Sequence, residues 1–342
     1  MRRVLVIGFF GYQTNRLDGQ TVKTRDLYRL ICEQDETSVD FYDTEEFQYH
    51  KLSILKMFWK ILCCKILIYL PGQNNLRRIF PLIYCLSMVR KFQIQYFVVG
   101  GWLQDFLDNN PLHRFMLSRI KGIYVETKQL RNKLENITNL KNVDLFPNFR
   151  FFHSDLSNVH QFDEGVLKIV FVSRVEKSKG LDTLLEVSKI IRELNLAKKI
   201  SIDFYGNKVD SYFDEHLNKI NFFKYKGILQ PCDVISTLKT YDLLIFPTHY
   251  EGEGCPGILI EAMAAGLPII ASDWKYNAEF VDSGENGILC DTYDAQSYIN
   301  AINLFLNDTA LLKKMSIRAV QYSKLFTDLA AKEKLSSILK TE

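Results

Sequence analysis

Short apolar runs alternate with helix-length segments along the whole chain, and this alternation limits the possible folds more than any other feature. Strands that are separated by helices form parallel sheets, and both faces of such sheets are covered by the helices. The sequence therefore predicts an α/β protein with two Rossmann-like domains, one in each half. The predicted strands are 3–8, 37–42, 66–70, 94–99, 122–125 and 143–146, followed by 168–173, 200–205, 222–225, 242–246, 268–271 and 287–290.

A polar, poorly periodic stretch interrupts this alternation at 154–165, shortly after Pro147-Asn148, and it predicts an interdomain linker. The chain of 342 residues is long enough for two domains that each bury a core. We therefore predict an N-terminal domain over 1–153 and a C-terminal domain over 166–320. A C-terminal helix over 321–342 is predicted to pack back toward the N-terminal domain.

Composition excludes several classes of protein. The 43 basic and 40 acidic residues nearly balance, so the chain lacks the strong positive field of a nucleic-acid binder. The longest apolar stretch, 52–70, contains Lys56, Lys60 and Lys65, and these charges argue against a membrane-spanning segment. The seven cysteines form no CxxC pair and the six histidines are scattered, so we interpret the cysteines as reduced core thiols. We expect a cytoplasmic protein with no metal site.

The most informative segment is PTHYEGEGCPGILIEAMAAGLP, residues 247–268, in which an apolar strand leads through a Gly-rich loop into a helix that begins near Gly257. Ligands of parallel sheets bind at the carboxyl ends of the strands, and a helix N-terminus at that edge presents backbone N–H groups to an anion. Glu253 and Glu261 are separated by seven residues. Their carboxylates are suited to accept hydrogen bonds from sugar or ribose hydroxyls.

This segment resembles the nucleotide-sugar motif of glycosyltransferase family 4, retaining enzymes of GT-B fold, in which a Glu, seven residues and a second Glu precede Ala-Met-Ala. The resemblance implies that Glu253 holds the donor sugar, that Glu261 holds the ribose, and that Gly257 and Ile258 contact the donor at the helix start. The loop is longer than in the usual pattern, so Glu251 stays an alternative for the first glutamate.

A second segment, FVSRVEKSKG at 171–180, resembles the family's Arg and Lys pair that grips the donor diphosphate. Fixed cations stabilise the negative charge that builds up as a nucleoside diphosphate departs. The resemblance implies this role for Arg174 and Lys179, with Lys177 as the alternative to Lys179. It also places Gly206, Gly227 and Ile228 in the loops that surround the nucleotide base.

In the first domain the resemblance is mainly one of layout. Gly19 matches a glycine loop that faces the diphosphate and the acceptor. Gly101, Trp102 and Asp105 follow the fourth strand, where many relatives carry a His that this sequence lacks. We assign these three residues to the acceptor side.

Taken together, the resemblance implies a hexosyltransferase with its site in the cleft between two domains. It would move a sugar from a nucleoside-diphosphate sugar, preferably UDP-linked, to a lipid-linked glycan in surface polysaccharide synthesis. No D-x-D occurs in the sequence, so we expect catalysis without a metal or other cofactor. Two alternatives stay open, a sugar-nucleotide epimerase of the same fold and a catalytically silent subunit of a polysaccharide assembly complex.

The apolar segment 51–62 has two interpretations. One is a buried helix whose lysines extend to solvent. The other is an interfacial helix that contacts a bilayer, helped by nearby basic residues. These basic residues are Arg77, Arg78, Arg90 and Lys91.

Overall fold

A computed structural model describes residues 2–35, 37–137, 139–152 and 165–340. The predicted linker 154–165 thus lies outside the described residues except for Gly165. The chain divides into two compact units. The first contains Met1–Phe151, Gly252–Cys255 and Asp328–Glu342, and the second contains Phe152–Glu251 and Pro256–Thr327.

The first unit is built on a six-stranded parallel sheet with the strand order β2-β1-β3-β4-β5-β6. Two of its inner strands contain the continuous apolar runs 4–7 and 66–70, as expected for strands that are buried on both faces. The strands are β1 Arg2–Gly8, β2 Thr37–Asp43, β3 Ile66–Leu70, β4 Gln93–Phe97, β5 Gly122–Val125 and β6 Val143–Leu145. The helices are α1 Gly19–Cys32, α2 Glu46–Tyr49, α3 Ser53–Cys63, α4 Gln73–Arg90, α5 Leu103–Asp108, α6 Pro111–Leu117 and α7 Lys128–Ile137.

The last helix of the chain, α13 (Asp328–Lys340), also belongs to the first unit. Its residues Leu335, Ile338 and Leu339 are buried in the same core cluster as β1 and α1. Burying side chains of this size contributes about 1.5–3 kcal/mol each. Ser336 Oγ also donates to Gln34 Oε1 at 2.7 Å. The core of the first unit is therefore completed by the end of the chain.

The second unit repeats the plan with the strand order β12-β11-β10-β7-β8-β9. Neighbouring strands are parallel, so their carboxyl ends share one edge. The strands are β7 Leu167–Val172, β8 Ile200–Tyr205, β9 Phe223–Gly227, β10 Leu243–Phe246, β11 Ile269–Ser272 and β12 Gly287–Cys290. The helices are α8 Leu181–Glu193, α9 Val234–Leu238, α10 Gly257–Ala264, α11 Ala295–Asn307 and α12 Thr309–Ser323.

The predicted fold class is confirmed, because every predicted strand is present and the strands form two parallel sheets. The predicted C-terminal limit of the second domain differs from the limit in the structure. The boundary placed between 320 and 321 falls inside α12, and the division by contacts lies between Thr327 and Asp328. The end of the second unit is set by which core each helix packs against, and the periodicity of the helical sequence does not reveal this.

The interpretation of the cysteines as core thiols is wrong for most of them. Only Cys255 and Cys290 are buried, whereas the others are exposed or half-buried, because most of them lie on the outer faces of helices or in loops. No described helix has both the length and the apolar character needed to cross a bilayer.

Candidate functional site

Two cations of the second unit converge on one aromatic ring at the carboxyl edge of its sheet. The Arg174 guanidinium carbon lies 4.9 Å from the centroid of the Tyr250 ring. Lys179 Nζ lies 4.2 Å from the same centroid. A cation over an aromatic face is attracted by about 0.5–2 kcal/mol, depending on solvent exposure. The two cations implied by the sequence are therefore brought together, and Tyr250 is a contact that the sequence did not reveal.

This convergence follows from the sheet order. Arg174 follows β7 and Tyr250 follows β10, and these two strands are parallel neighbours. Between Arg174 and α8, a 3-10 turn at Lys177–Lys179 ends at Gly180, whose φ is +88°. A side chain at Gly180 would overlap the Pro247 carbonyl. The close approach of the turn to the strand end therefore requires glycine.

Tyr250 is held at both of its backbone groups. Its N–H donates to Thr248 Oγ1 at 3.2 Å, and its carbonyl accepts from Trp274 Nε1 at 2.9 Å. Arg174 is oriented further by Glu176, whose carboxylate lies 3.2 Å from its guanidinium. Lys179 is only 6% exposed. The two positive charges therefore occupy defined positions.

Lys177, the alternative to Lys179, points elsewhere. Its Nζ lies 5.8 Å from the Tyr212 ring, and its backbone N–H donates to Asp210. The side chain is exposed. The geometry thus joins Lys179, rather than Lys177, to Arg174.

The two candidates for the first glutamate of the motif differ in environment. Glu251 has a side chain that is 75% exposed and forms an ion pair with Lys275 at 2.6 Å. Glu253 is 7% exposed and belongs to the first unit by its contacts. The structure therefore distinguishes the two glutamates by burial: Glu253 is buried and Glu251 is exposed.

The helix after the motif loop, α10, begins at Gly257 as expected from the sequence. Its first turn contains no acidic side chain. The leading N–H groups of a helix lack partners within the helix and attract anions. Gly257 and Ile258 occupy this turn, and Glu261 lies one turn later with its side chain half-buried.

Gly206 follows β8 and Gly227 is the last residue of β9, and the space around these two glycines differs. Gly206 has a φ of +137°, and a side chain there would overlap the Ser173 carbonyl. Its N–H donates to the Gly227 carbonyl at 2.8 Å. Gly227 has a φ of +92° but open space around it, and the neighbouring Ile228 is 55% exposed. A positive φ favours glycine at both positions, and the close Ser173 carbonyl is a second reason at Gly206 only. Gly227 and Ile228 border open space.

The candidates of the first unit follow strands of its sheet or begin its first helix. Gly19 is exposed at the start of α1, where Asp18 caps the helix by accepting from the Thr21 N–H at 3.0 Å. Gly101 and Trp102 are half-buried after β4, and Trp102 Nε1 donates to the Val99 carbonyl at 2.8 Å. Asp105 is exposed on the first turn of α5.

Sequence reasoning missed a buried ion pair in the first unit. Lys23 Nζ lies 2.5 Å from Glu126 Oε1, and the two side chains are 1% and 3% exposed. Lys23 lies on α1 and Glu126 directly follows β5. A carboxylate directly after a buried strand was the one available signal, because strand ends carry functional groups in such folds.

The described residues contain no cluster of side chains that could bind a metal ion. Nowhere in residues 2–35, 37–137, 139–152 and 165–340 do three His, Cys, Asp or Glu side chains cluster closely enough to hold an ion.

Comparison with known proteins identifies a family for part of the chain. The family described as glycosyl transferases group 1 matches residues 153–322. D-inositol 3-phosphate glycosyltransferase of Corynebacterium diphtheriae is 25% identical over 178 residues. That alignment covers 50% of this chain and 41% of the relative, so the chain matches less than half of the relative's length.

Likeness among solved structures extends over the whole chain. Sucrose-phosphate synthase of Thermosynechococcus elongatus has a TM-score of 0.77 at 15% identity and covers 99% of this chain and 98% of its own. HepE of Anabaena, solved with UDP and glucose, has a TM-score of 0.75 at 15% identity and covers 100% of both chains. These likenesses show a shared fold. Residues 153–322, with their Arg174–Lys179 segment and their glutamate motif, belong to the glycosyl transferases group 1 family.

Proposed function

We propose that this chain is a retaining hexosyltransferase that moves a sugar from a UDP-sugar to a glycan acceptor. The observation that carries the proposal is the convergence of Arg174 and Lys179 on Tyr250 at the carboxyl edge of the second sheet. Two fixed cations at such an edge suit a diphosphate, whose charge grows as it leaves the sugar.

Each proposed residue has a separate task. Arg174, Lys179 and the first-turn amides of α10 stabilise the departing diphosphate, and Glu261 accepts hydrogen bonds from the ribose. Glu253 accepts hydrogen bonds from the sugar hydroxyls, because an ionised carboxylate has only acceptor atoms. We propose that the acceptor attacks from the face that the diphosphate leaves, with the leaving phosphate taking the acceptor's proton. This path retains the anomeric configuration.

The choice of UDP is supported by HepE, a protein of the same fold that was solved with UDP and glucose. Gly206, Gly227 and Ile228 would border the base. The first unit would bind the acceptor through Gly19, Gly101, Trp102 and Asp105. No metal or cofactor takes part in this scheme, since the two cations supply the positive charge that a metal would otherwise provide.

We further propose that the acceptor is lipid-linked in surface polysaccharide synthesis, and that the protein binds the cytoplasmic face of a membrane. Support comes from α3, whose outward side carries an apolar stripe. The stripe residues Leu52, Leu55, Trp59 and Leu62 are 79%, 65%, 67% and 39% exposed. Apolar side chains next to basic ones suit an anionic bilayer. Arg90 Nη2 donates to the Leu62 carbonyl at 3.3 Å, so one basic side chain meets the end of the stripe. The basic residues Lys51, Arg77, Arg78, Arg90 and Lys91 are all exposed.

The lysines of α3 contact acidic side chains, and the Lys56 side chain is also 55% exposed. Lys56 pairs with Glu46 at 3.1 Å and Lys60 pairs with Asp40 at 2.7 Å. Vesicle sedimentation with anionic lipid tests the membrane proposal. We expect Trp59→Ser to weaken binding and Leu325→Ser to leave it unchanged, because Leu325 is equally exposed (68%) but lies in the second unit. Equal losses in both variants would contradict the proposal.

The donor site is tested by nucleotide binding in chelator-containing buffer. We expect UDP, and not GDP or ADP, to stabilise the wild type by about 2.7 kcal/mol at about a hundredfold over its Kd. Lys179→Ala should weaken UDP binding about tenfold, since it removes a charge-assisted contact of about 1.5 kcal/mol or more. Lys177→Ala is the matched control and should bind like the wild type.

Two results would contradict the donor site. One is the absence of a response to every nucleotide, and the other is a larger loss in Lys177→Ala than in Lys179→Ala. Sugar transfer is tested separately with Glu253→Ala and Glu261→Ala. Unchanged transfer by Glu253→Ala would remove the catalytic role proposed for Glu253.

A further inference from the structure

The buried carboxylate of Glu126 has more partners than the lysine beside it. Oε1 accepts from Lys23 Nζ at 2.5 Å, and Lys23 Nζ also donates to the Val98 carbonyl at 3.0 Å. Oε2 accepts from the Gly100 N–H at 3.1 Å and from the Cys255 N–H at 3.2 Å. One carboxylate therefore joins α1, the loop after β4 and the motif segment Gly252–Cys255, all within the first unit.

A second side chain holds the other backbone group of Cys255. Asn148 Nδ2 donates to the Cys255 carbonyl at 3.0 Å, and Asn148 Oδ1 accepts from Arg150 Nη1 at 3.1 Å. Asn148 and Arg150 are only 4% and 8% exposed. The Cys255 peptide groups are thus fixed on both sides by buried side chains that follow β5 and β6.

The segment is shaped for this close approach. A side chain at Gly254 would overlap Glu126 Oε2 and would lie 2.7 Å from Gly100 Cα. Gly100 has a φ of +83°, and a side chain there would lie 2.8 Å from the Gly252 carbonyl oxygen. Glycines at both positions let the carboxylate reach the backbone, and Glu253 lies two residues before Cys255, whose peptide groups are held by Glu126 and Asn148.

We propose that Glu126 is a positioning residue that fixes the segment Gly252–Cys255 and thereby sets the direction of the Glu253 carboxylate toward the donor sugar. This inference rests on the proposed function. Buried ion pairs are weak sources of stability, which leaves positioning as the role that the geometry supports. Charge matters here because an ionised carboxylate accepts hydrogen bonds at both oxygens, whereas a glutamine has one acceptor and one donor group.

The swap Glu126→Gln tests this directly. Its amide NH₂ must face either the Lys23 ammonium or the Gly100 and Cys255 amides, which are all donors. The double variant Lys23→Met with Glu126→Gln removes that conflict, because the glutamine oxygen can again accept from the two amides while its NH₂ faces no ammonium. Positioning therefore predicts a defect in the single variant and its rescue in the double variant.

The readout is the sugar increment, defined as the ratio of the Kd of UDP to the Kd of a UDP-sugar. The probes are UDP and whichever of UDP-glucose, UDP-galactose and UDP-N-acetylglucosamine the wild type binds tightest. We expect Glu126→Gln to reduce the increment about tenfold, the scale of one lost charge-assisted hydrogen bond. The Kd of UDP should stay unchanged, because Arg174, Lys179 and Glu261 lie in the second unit.

The control is Glu135→Gln, which removes an exposed carboxylate of the same unit that pairs with Arg131 at 2.9 Å. It should keep the wild-type increment. If Glu126→Gln does not fold, Asn148→Ala, which releases the Cys255 carbonyl, is measured in the same way and should also reduce the increment.

The outcomes separate the two proposals. A wild type that binds no nucleotide would overturn the proposed function, and this inference with it. A different outcome is a wild type that shows a sugar increment. If the Glu126→Gln variant folds and keeps the whole of that increment, this inference alone is overturned. Parallel losses for UDP and the UDP-sugar, or a double variant that stays as defective as the single one, would also overturn it.

Discussion

Each unit contains a lysine–glutamate pair, and the two pairs have nearly equal lengths but very different burial. In the first unit, Lys23 and Glu126 are 2.5 Å apart and are 1% and 3% exposed. In the second unit, Lys275 and Glu251 are 2.6 Å apart and are 29% and 75% exposed. Distance alone therefore does not tell which pair matters.

The comparison teaches that burial decides what a charge costs when its partner is removed. An unpaired ion in a buried site keeps its full desolvation penalty, whereas water and salt replace the partner of an exposed ion. Glu126 also accepts from two backbone amides, whereas within the described part of the chain Glu251 forms an ion pair with Lys275 alone. The buried pair holds backbone in place.

Removing the buried lysine should have the largest effect. We expect Lys23→Met to lower the free energy of unfolding by about 3–5 kcal/mol, because Glu126 is left charged and buried. Urea titration measures this. Lys56→Met, which breaks the exposed pair with Glu46, is the matched control and should cost about 1 kcal/mol or less. Similar losses in both variants would contradict the role of burial.

A double-mutant cycle should show that the buried pair is coupled. Stability measured for Lys23→Met, Glu126→Gln and their combination should give an interaction energy of about 0.5–3 kcal/mol. The second substitution should cost less after the first, because it removes the buried charge that the first substitution left without a partner. Additive losses would mean that the two side chains act independently in spite of their contact.

The pH dependence of Cys255 should report the same buried environment. Burial, with a further contribution from Glu126, raises the pKa of this thiol well above its usual range. The unfolded chain ionises first, so the thiol's contribution to stability is complete below about pH 8.5 and is lost as the pH rises. Between about pH 8.5 and 9.5, the unfolding free energy of the wild type should fall about 1 kcal/mol more than that of Cys255→Ala. Parallel pH curves would contradict the raised pKa.

Breaking the exposed pair should have the smallest effect. We expect Glu251→Gln to change the free energy of unfolding by less than about 1 kcal/mol, and the change should shrink further in about 0.5 M salt. Urea titrations at low and high salt measure this. A loss as large as that of Lys23→Met would show that exposure does not separate the two pairs.

Local sequence predicted the elements of this fold well, because a strand buried on both faces must be an apolar run. The candidates Arg174, Lys179, Glu253 and Glu261 were predicted in another way, because two contiguous segments resemble motifs of a known family. Tyr250 lay inside the same motif, yet its contact with both cations depends on the order of β7 and β10 in the sheet. The order of strands in a sheet cannot be predicted from any single segment of the sequence.

The outward face of α3 marks another limit. Its sequence is apolar nearly all round, so periodicity could not tell which side is buried. The structure buries Met57 and Ile61 and leaves Leu55 and Trp59 exposed. Packing on the sheet made this choice.

By itself, the sequence determined the two parallel sheets, the position of the glutamate motif and the identity of the cation segment. These depend on neighbours within a few residues, where backbone preferences and side-chain patterns act directly. Only the tertiary structure decided that Glu253 is buried while Glu251 is exposed, and that Lys23 meets Glu126 from a distant part of the chain. Burial and ion pairing are properties of the folded surroundings, so they arise only when strands that are far apart in sequence become neighbours in one sheet.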